Sequence, residues 1–311
     1  MSAETPTPES KEPGEAPPRT PLIAMGGILA ATLFGALAMT LPFRQAPPEV
    51  LEPLQAFADP SSAANIGWIV AIMLGFTLLF LVLIKLERKV SFRLILLGTI
   101  GLILHTGLRL VVGDLPAVAV AAGLVALLYG YPEWWVVDVV MLPVAAFAAW
   151  LFGISLVLPL VLGLLVALAV YDYLAVYRTG HMISLAEGVM ELKVPILFVL
   201  PRKPGFSFRG QTKFIGGDEA FYMGLGDAII PGMLAVTANM PNVNPGLEAA
   251  PALGGFATLP ALGAALGTLA GFALLSRYVG RGKPHAGLPF LNSGAIAGFF
   301  IGAAAVGVRP F

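Results

Sequence analysis

Two aspartates stand within stretches that are otherwise apolar enough to lie in hydrocarbon. Asp172 is in "LVALAVYDYLAVYRTG" and Asp227 is in "FYMGLGDAIIPGML". A carboxylate at bilayer depth costs about 2.5 to 3.5 kcal/mol on insertion scales, so such residues indicate a functional site. Two carboxyls that lie close together away from water can share a proton, so that one activates water while the other polarises a carbonyl. That chemistry hydrolyses peptide bonds by an aspartyl mechanism.

The depth of each aspartate along its helix supports this pairing. Asp172 precedes Arg178 by roughly 9 Å of helix, and Asp227 follows Glu219 by roughly 12 Å. Because consecutive spans run antiparallel, we expect both carboxyls at a similar depth in the cytoplasmic half of the membrane. A third acid, Asp138 in "WWVVDVVML", is expected at comparable depth. We interpret Asp138 as structural or accessory.

Composition indicates which elements must position these acids. The chain has 311 residues, of which 58% are hydrophobic and 12% charged, with a mean hydropathy of +0.87. These values are typical of a polytopic membrane protein. Because basic and acidic residues are equal at 18 each, no charge excess indicates a nucleic-acid partner. The lack of cysteine excludes thiolate metal sites, and with three scattered histidines a zinc site is not expected.

Apolar runs of about 20 residues predict an all-α fold of nine membrane-spanning helices. Eight remain possible, because the fourth run is short and its separation from the fifth depends on Gly130 and Pro132 in "YGYPEWW". The predicted spans cover about 21–41, 65–86, 92–112, 115–130, 134–152, 156–177, 219–239, 254–277 and 289–308.

Basic residues predict the orientation, because positively charged loops stay in the cytoplasm. They concentrate in alternate connections and in the first 20 residues: Lys11, Arg19, Arg88, Lys89, Arg93, Arg178, Lys193, Arg202, Lys203, Arg209, Lys213, Arg277, Arg281 and Lys283. The N-terminus is therefore expected in the cytoplasm and the C-terminus outside. The resulting division is a disordered tail (1–20), six spans (21–177), a cytoplasmic loop (178–218) and three spans (219–311). Within the loop we expect an interfacial helix and then an extended piece.

Three short motifs carry a resemblance to a known family. They fall in order on the sixth, seventh and ninth predicted spans: Tyr171-Asp172, Gly224-Leu225-Gly226-Asp227 and Pro289-Phe290-Leu291. Together with the nine-span layout and the long loop, they resemble the signatures of the presenilin and signal peptide peptidase family of intramembrane aspartyl proteases. The segments "YRTGHMISLAEGV" and "GLPFLNSGAI" are similar to the archaeal presenilin-like branch.

The resemblance implies an aspartic endopeptidase in an archaeal or other prokaryotic cell membrane, with Asp172 and Asp227 as the catalytic dyad. The flanking motif residues would shape the site and bind substrate: Tyr171, Gly224, Leu225, Gly226, Pro289, Phe290 and Leu291. Substrates would be transmembrane proteins or signal-peptide-like segments that unwind locally in the lipid bilayer. No metal or organic cofactor is implied.

The third motif departs from the family pattern, which has Pro-Ala-Leu where this chain has Pro289-Phe290-Leu291. Literal Pro-Ala-Leu strings at 251–253 and 260–262 lie before or within the eighth span, so we interpret them as coincidental. Phe290 is expected to alter how substrate packs against this segment.

Two other functions are compatible with intramembrane acids. One is a cation- or proton-coupled transporter, although no internal repeat is evident and both aspartates are displaced from the midplane. The other is an inactive homologue that acts as a membrane scaffold. His105, in the third span, is interpreted as an interior histidine. The sequence makes no prediction about oligomeric state.

Overall fold

Apolar helices make up most of the chain in a computed structural model, which describes residues 19–86, 89–179, 197–203, 205–209, 219–278 and 285–310. Helices satisfy every interior backbone hydrogen bond within one segment, which lipid requires. They are α1 (Arg19–Ala38), α2 (Pro48–Leu51), α3 (Ala64–Lys85), α4 (Lys89–Val112), α5 (Asp114–Gly130), α6 (Trp134–Ile154), α7 (Leu158–Leu174), α8 (Leu225–Ala238), α9 (Leu259–Leu275) and α10 (Leu288–Ala305).

Each predicted span corresponds to one of the longer helices among the described residues, with ends that differ by a few residues. Five of these helices are long and apolar enough to cross a membrane: those within Pro21–Ala38, Val90–Val112, Trp134–Ile154, Leu158–Arg178 and Leu288–Ala305. The apolar helices over Ala64–Leu79, Asp114–Gly130, Leu225–Ala238 and Leu259–Leu275 are shorter. The chain is thus a multi-pass helical membrane protein, while the count of nine spans and the orientation of the termini stay predictions.

Two small antiparallel sheets interrupt the expected all-α pattern. Strand β1 (Leu197–Pro201) pairs with β2 (Ala220–Gly224), and β3 (Ala252–Leu253) pairs with β4 (Ala257–Thr258). The prediction of a seventh span from residue 219 is therefore wrong at its start, because α8 begins only at Leu225. Residues 220–224 form ladder hydrogen bonds with β1, which apolar character alone did not reveal. The predicted interfacial helix falls largely outside the described residues.

Helix α6 lies at the centre of the bundle and packs against α1, α4, α5, α8 and β1. Its residues Met141 and Trp150 are fully enclosed. The tilted Phe43 ring and the stacked Phe147 ring lie 5.3 and 5.6 Å from the Trp150 ring. Gly153 of α6 lies so close to Val236 of α8 that a Cβ there would approach to 2.6 Å. The helix that carries Asp227 is therefore seated directly on α6.

Buried asparagines fix the connections that follow the C-terminal end of α8, which is the end far from Asp227. The Asn239 side chain donates to the Thr40 hydroxyl at 2.8 Å and accepts from the Thr258 amide at 2.8 Å. The Asn244 side chain accepts from the Leu158 amide, at the first turn of α7, at 2.7 Å. Because these buried amides satisfy backbone groups, they tie the ends of α7, α8 and α9 into one register.

Helices α9 and α10 pack with their backbones in direct contact. A Cβ on any of several glycines would strike backbone atoms of the other helix: Gly263, Gly267, Gly271, Gly294, Gly298 and Gly302. Small residues of this kind let membrane helices approach closely. We call this interface the glycine ladder, and it holds α10 against α9 along most of its length.

The glycine ladder makes a testable prediction about stability. We expect Gly267→Ala to lower the free energy of unfolding by about 1 to 3 kcal/mol, because the added methyl would meet the Gly294 carbonyl. Thermal unfolding in detergent measures the effect. Gly75→Ala on α3, where no atom lies within 4 Å of the new methyl, is the matched control and should unfold as the wild type does or slightly later. Equal stability of the two variants would contradict close backbone packing at the glycine ladder.

Candidate active site

Asp172 lies in the last turn of α7 and is buried, with 6% of its surface exposed. Its Oδ2 accepts a hydrogen bond from the Leu288 amide at 3.1 Å. Leu288 opens α10, and the first amides of a helix have no partner within the helix. A carboxylate is favoured there because the N-terminal end of a helix carries partial positive charge. Asp172 therefore caps the helix that begins with the Pro-x-Leu motif.

Asp227 lies in the first turn of α8 and is partly buried. Gly224 is the N-cap residue of that helix, with extended backbone at φ −62° and ψ 142°. The Asp227 carboxyl folds back onto the Gly224 backbone, as an acid at the third helical position does in a capping box. Strand β2 leads without interruption into this turn, so the sheet determines where Asp227 enters the bundle.

The two carboxyls meet at Gly287. A Cβ on Gly287 would lie 3.1 Å from Asp227 Oδ1 and 3.2 Å from Oδ2. The backbone of the same residue also faces Asp172, whose Oδ2 accepts a hydrogen bond from the next amide, that of Leu288. Gly287 therefore leaves room for both acids on one short backbone segment.

Sequence reasoning missed Gly287 and Leu288, which supply the space and the amide at this meeting point. A signal was present, because a glycine just before a helix with proline in its first turn is typical of an N-cap. Pro289 lies in the first turn of α10, where its missing N–H is tolerated, and Leu291 is 1% exposed. Both predicted motif residues thus begin the helix that Asp172 caps.

The other predicted site residues differ in how near they lie to the two acids. The Phe290 ring packs 5.8 Å from the Tyr278 ring at the end of α9, and its carbonyl contacts Gly271. Tyr171 is 46% exposed on the outside of α7, away from the buried face of Asp172. Leu225 and Gly226 lie in the first turn of α8, with Gly226 exposed.

The segment that precedes Asp227 carries its own polar contacts outside the helices. The Arg202 guanidinium lies 4.3 Å from the centre of the Phe221 ring. Burial, with a smaller contribution from the nearby Glu219 carboxylate, raises the pKa of Tyr222 to about 12. The Tyr222 phenol is therefore neutral at physiological pH, which suits its position in a partly buried strand.

No cluster of three or more His, Cys, Asp or Glu side chains that could hold a metal occurs among the described residues.

The apolar helices define a multi-pass membrane protein, and two acids from different helices lie against the start of a third helix. The family model described as "Signal-peptide peptidase, presenilin aspartyl protease" matches residues 26–308. The chain belongs to this family of intramembrane aspartyl proteases and is an aspartic endopeptidase of the membrane. A search of curated proteins gives no match.

Solved structures agree with the family assignment. Two structures of a presenilin family intramembrane aspartate protease, in different space groups, superpose with TM-scores of 0.64 and 0.62 at 33% and 34% sequence identity. Each alignment covers 92% of this chain, and 99% and 98% of the respective structures. None of the comparisons supports the alternative of a cation- or proton-coupled transporter.

The role of Gly287 can be tested by adding one methyl group. We expect Gly287→Ala to lower proteolytic activity at least about tenfold, because the methyl would press on the Asp227 carboxyl and displace it. Cleavage of a membrane-anchored substrate in liposomes, alongside thermal unfolding, measures the effect. Gly163→Ala on α7, where no atom lies within 4 Å of the methyl, should cleave like the wild type. Full activity of Gly287→Ala would show that the carboxyls do not depend on this space.

Proposed function

We propose that Asp172 and Asp227 form the catalytic dyad of this protease. The observation that carries the proposal is their convergence on Gly287, with the Leu288 amide bonded to Asp172. The acids come from different helices, so the bundle has to fold before the pair exists. Two carboxyls that lie close together away from water can share one proton between them.

The reaction follows from a pair that holds one proton. The ionised carboxyl removes a proton from water, and the resulting hydroxide adds to the peptide carbonyl carbon. The protonated carboxyl gives its proton to the carbonyl oxygen, which forms a neutral tetrahedral diol. The carboxyl that took the water proton then donates it to the amide nitrogen, the other carboxyl takes a proton from a diol hydroxyl, and the C–N bond breaks. Water supplies the atoms added to the two products, and no metal or organic cofactor takes part.

Transmembrane segments of other proteins, including signal-peptide-like segments, are the proposed substrates. Peptide bonds within a helix are shielded and their carbonyls already bonded, so a substrate has to unwind near the dyad. Gly224 and Gly226 have no side chains to obstruct an extended backbone, and Gly226 is exposed. With Tyr171, Leu225, Pro289, Phe290 and Leu291, they form the proposed substrate-binding surface.

The proposed setting is a prokaryotic, archaeal cell membrane, crossed by nine spans. The N-terminus and the loop at 178–218 lie in the cytoplasm, and the C-terminus lies outside. The basic residues in alternate connections support this orientation. Cleavage therefore takes place in the cytoplasmic half of the membrane.

Single substitution of each acid tests the dyad. We expect Asp172→Asn and Asp227→Asn each to abolish cleavage of a membrane-anchored substrate, because an amide can neither take the proton of water nor donate one as an acid does. Product is measured in liposomes by mass spectrometry, and folding is checked by thermal unfolding. Asp114→Asn, which changes an exposed acid in the first turn of α5, is the control and should remain active. Full activity in either dyad variant would sink the proposal.

An inhibitor supplies an independent chemical test. A hydroxyl-bearing mimic of the tetrahedral diol should inhibit the wild type, because aspartyl dyads bind the transition state more tightly than the substrate. Liposome flux that depends on Asp227 without any proteolysis would instead favour a transporter.

A further inference from the structure

Asp138 is a buried acid on α6 that the proposed dyad does not use. It is 8% exposed, and its Oδ1 accepts a hydrogen bond from the Val199 amide at 2.8 Å. Its Oδ2 has no hydrogen-bond partner among the described residues. A buried acid is costly to keep in an apolar bundle, so the bond to Val199 gives it a specific structural use.

The Val199 amide belongs to β1 and is directed away from the ladder between the strands. Val199 is opposite Tyr222 of β2, and an antiparallel strand directs successive amides alternately toward and away from its partner. Asp138 therefore holds the outer side of β1 and leaves its inner side to pair with β2. Since Phe198 and Val199 are fully buried, the strand is enclosed where Asp138 holds it.

A continuous path leads from Asp138 to Asp227. Strand β1 is in register with β2 over five residue pairs, from Leu197 opposite Gly224 to Pro201 opposite Ala220. Gly224 then becomes the N-cap of α8, and the Asp227 carboxyl folds back on it. A shift of β1 relative to α6 would therefore move the turn that holds Asp227.

A second acid on α6 holds the chain just beyond β1. Both Glu133 carboxylate oxygens accept hydrogen bonds, from the Ser207 hydroxyl at 2.8 Å and from the Phe208 amide at 3.1 Å. Glu133 is the N-cap residue of α6, and Asp138 lies little more than one turn further on. The beginning of α6 thus holds the segment between the two catalytic helices at two points.

We infer that Asp138 is a positioning residue, which fixes β1 on α6 and, through β2, sets the location of Asp227 relative to Asp172. The inference rests on the proposed function, because it assumes that Asp227 is catalytic. Asp138 itself transfers no proton in the reaction. The positioning role requires a side-chain oxygen at residue 138 that accepts the hydrogen bond of the Val199 amide. An asparagine side chain also provides such an oxygen.

Two substitutions at this position separate the acceptor from the acid. Asp138→Asn keeps an oxygen for Val199, whereas Asp138→Leu removes it and leaves the amide unsatisfied. We expect Asp138→Leu to lower kcat between about tenfold and a hundredfold with KM changed by less than about threefold. We expect Asp138→Asn to retain kcat within about threefold of the wild type. Asp114→Leu, at an exposed position, is the matched control.

Hydrogen–deuterium exchange supplies a readout that does not depend on proteolysis. Asp138→Leu should raise deuterium uptake in 197–201 and 220–224 and leave α9 and α10 at wild-type values, whereas Asp138→Asn should keep both strands protected. Wild-type kcat in folded Asp138→Leu would overturn the inference. A purely structural role would lower the melting temperature and leave kcat of the folded fraction unchanged, which also overturns it.

If Asp138→Leu does not fold, Asp138→Asn decides the question. Retained kcat with protected strands supports positioning, as does lost kcat with exposed strands. Lost kcat with protected strands overturns it, because the carboxyl itself would then be required. Cleavage by Asp227→Asn would refute the proposed dyad, and the exchange data would still report whether Asp138 holds the strands.

Discussion

One hydrogen bond, from the Leu288 amide to the Asp172 carboxylate, determines how the last helix of the bundle meets α7. A buried acid in a membrane protein needs a donor, and the beginning of α10 has amides without helical partners. The bond satisfies both requirements and brings Gly287 against Asp227. Another buried polar bond, from the Asn292 side chain to the Leu165 carbonyl at 2.8 Å, joins the same two helices, about one turn along α10 and about two turns back along α7.

Different elements of the fold hold Asp172 and Asp227 in place. Asp172 is fixed by α10, which the glycine ladder holds against α9. Asp227 is fixed by β2 and by α6, against which α8 packs closely at Gly153. Helix α10 packs against both α7 and α8, so the geometry of the two acids depends on how several helices pack together.

Much of this organisation could be predicted from sequence, because apolar length and interior charge are strong signals in a membrane protein. The membrane character and helical fold were predicted from composition, and the family from three motifs. The strand at 220–224 was not, because its residues are as apolar as a helix and only its pairing with β1 distinguishes it. Gly287 was also missed, because it contributes only the space left by its missing side chain. That space matters only where segments distant in sequence come together in the fold.

Backbone contact along the glycine ladder leaves no layer of side chains between α9 and α10 that could deform. Sliding or tilting one helix on the other would drive carbonyl groups into main-chain atoms, so we expect the two helices to move together. Any change in the distance between the acids therefore has to come from α7, from α8 or from the strands before α8. If a substrate helix enters between the helices, we expect α7, α8 and the strands before α8 to move, while α9 and α10 stay packed against each other.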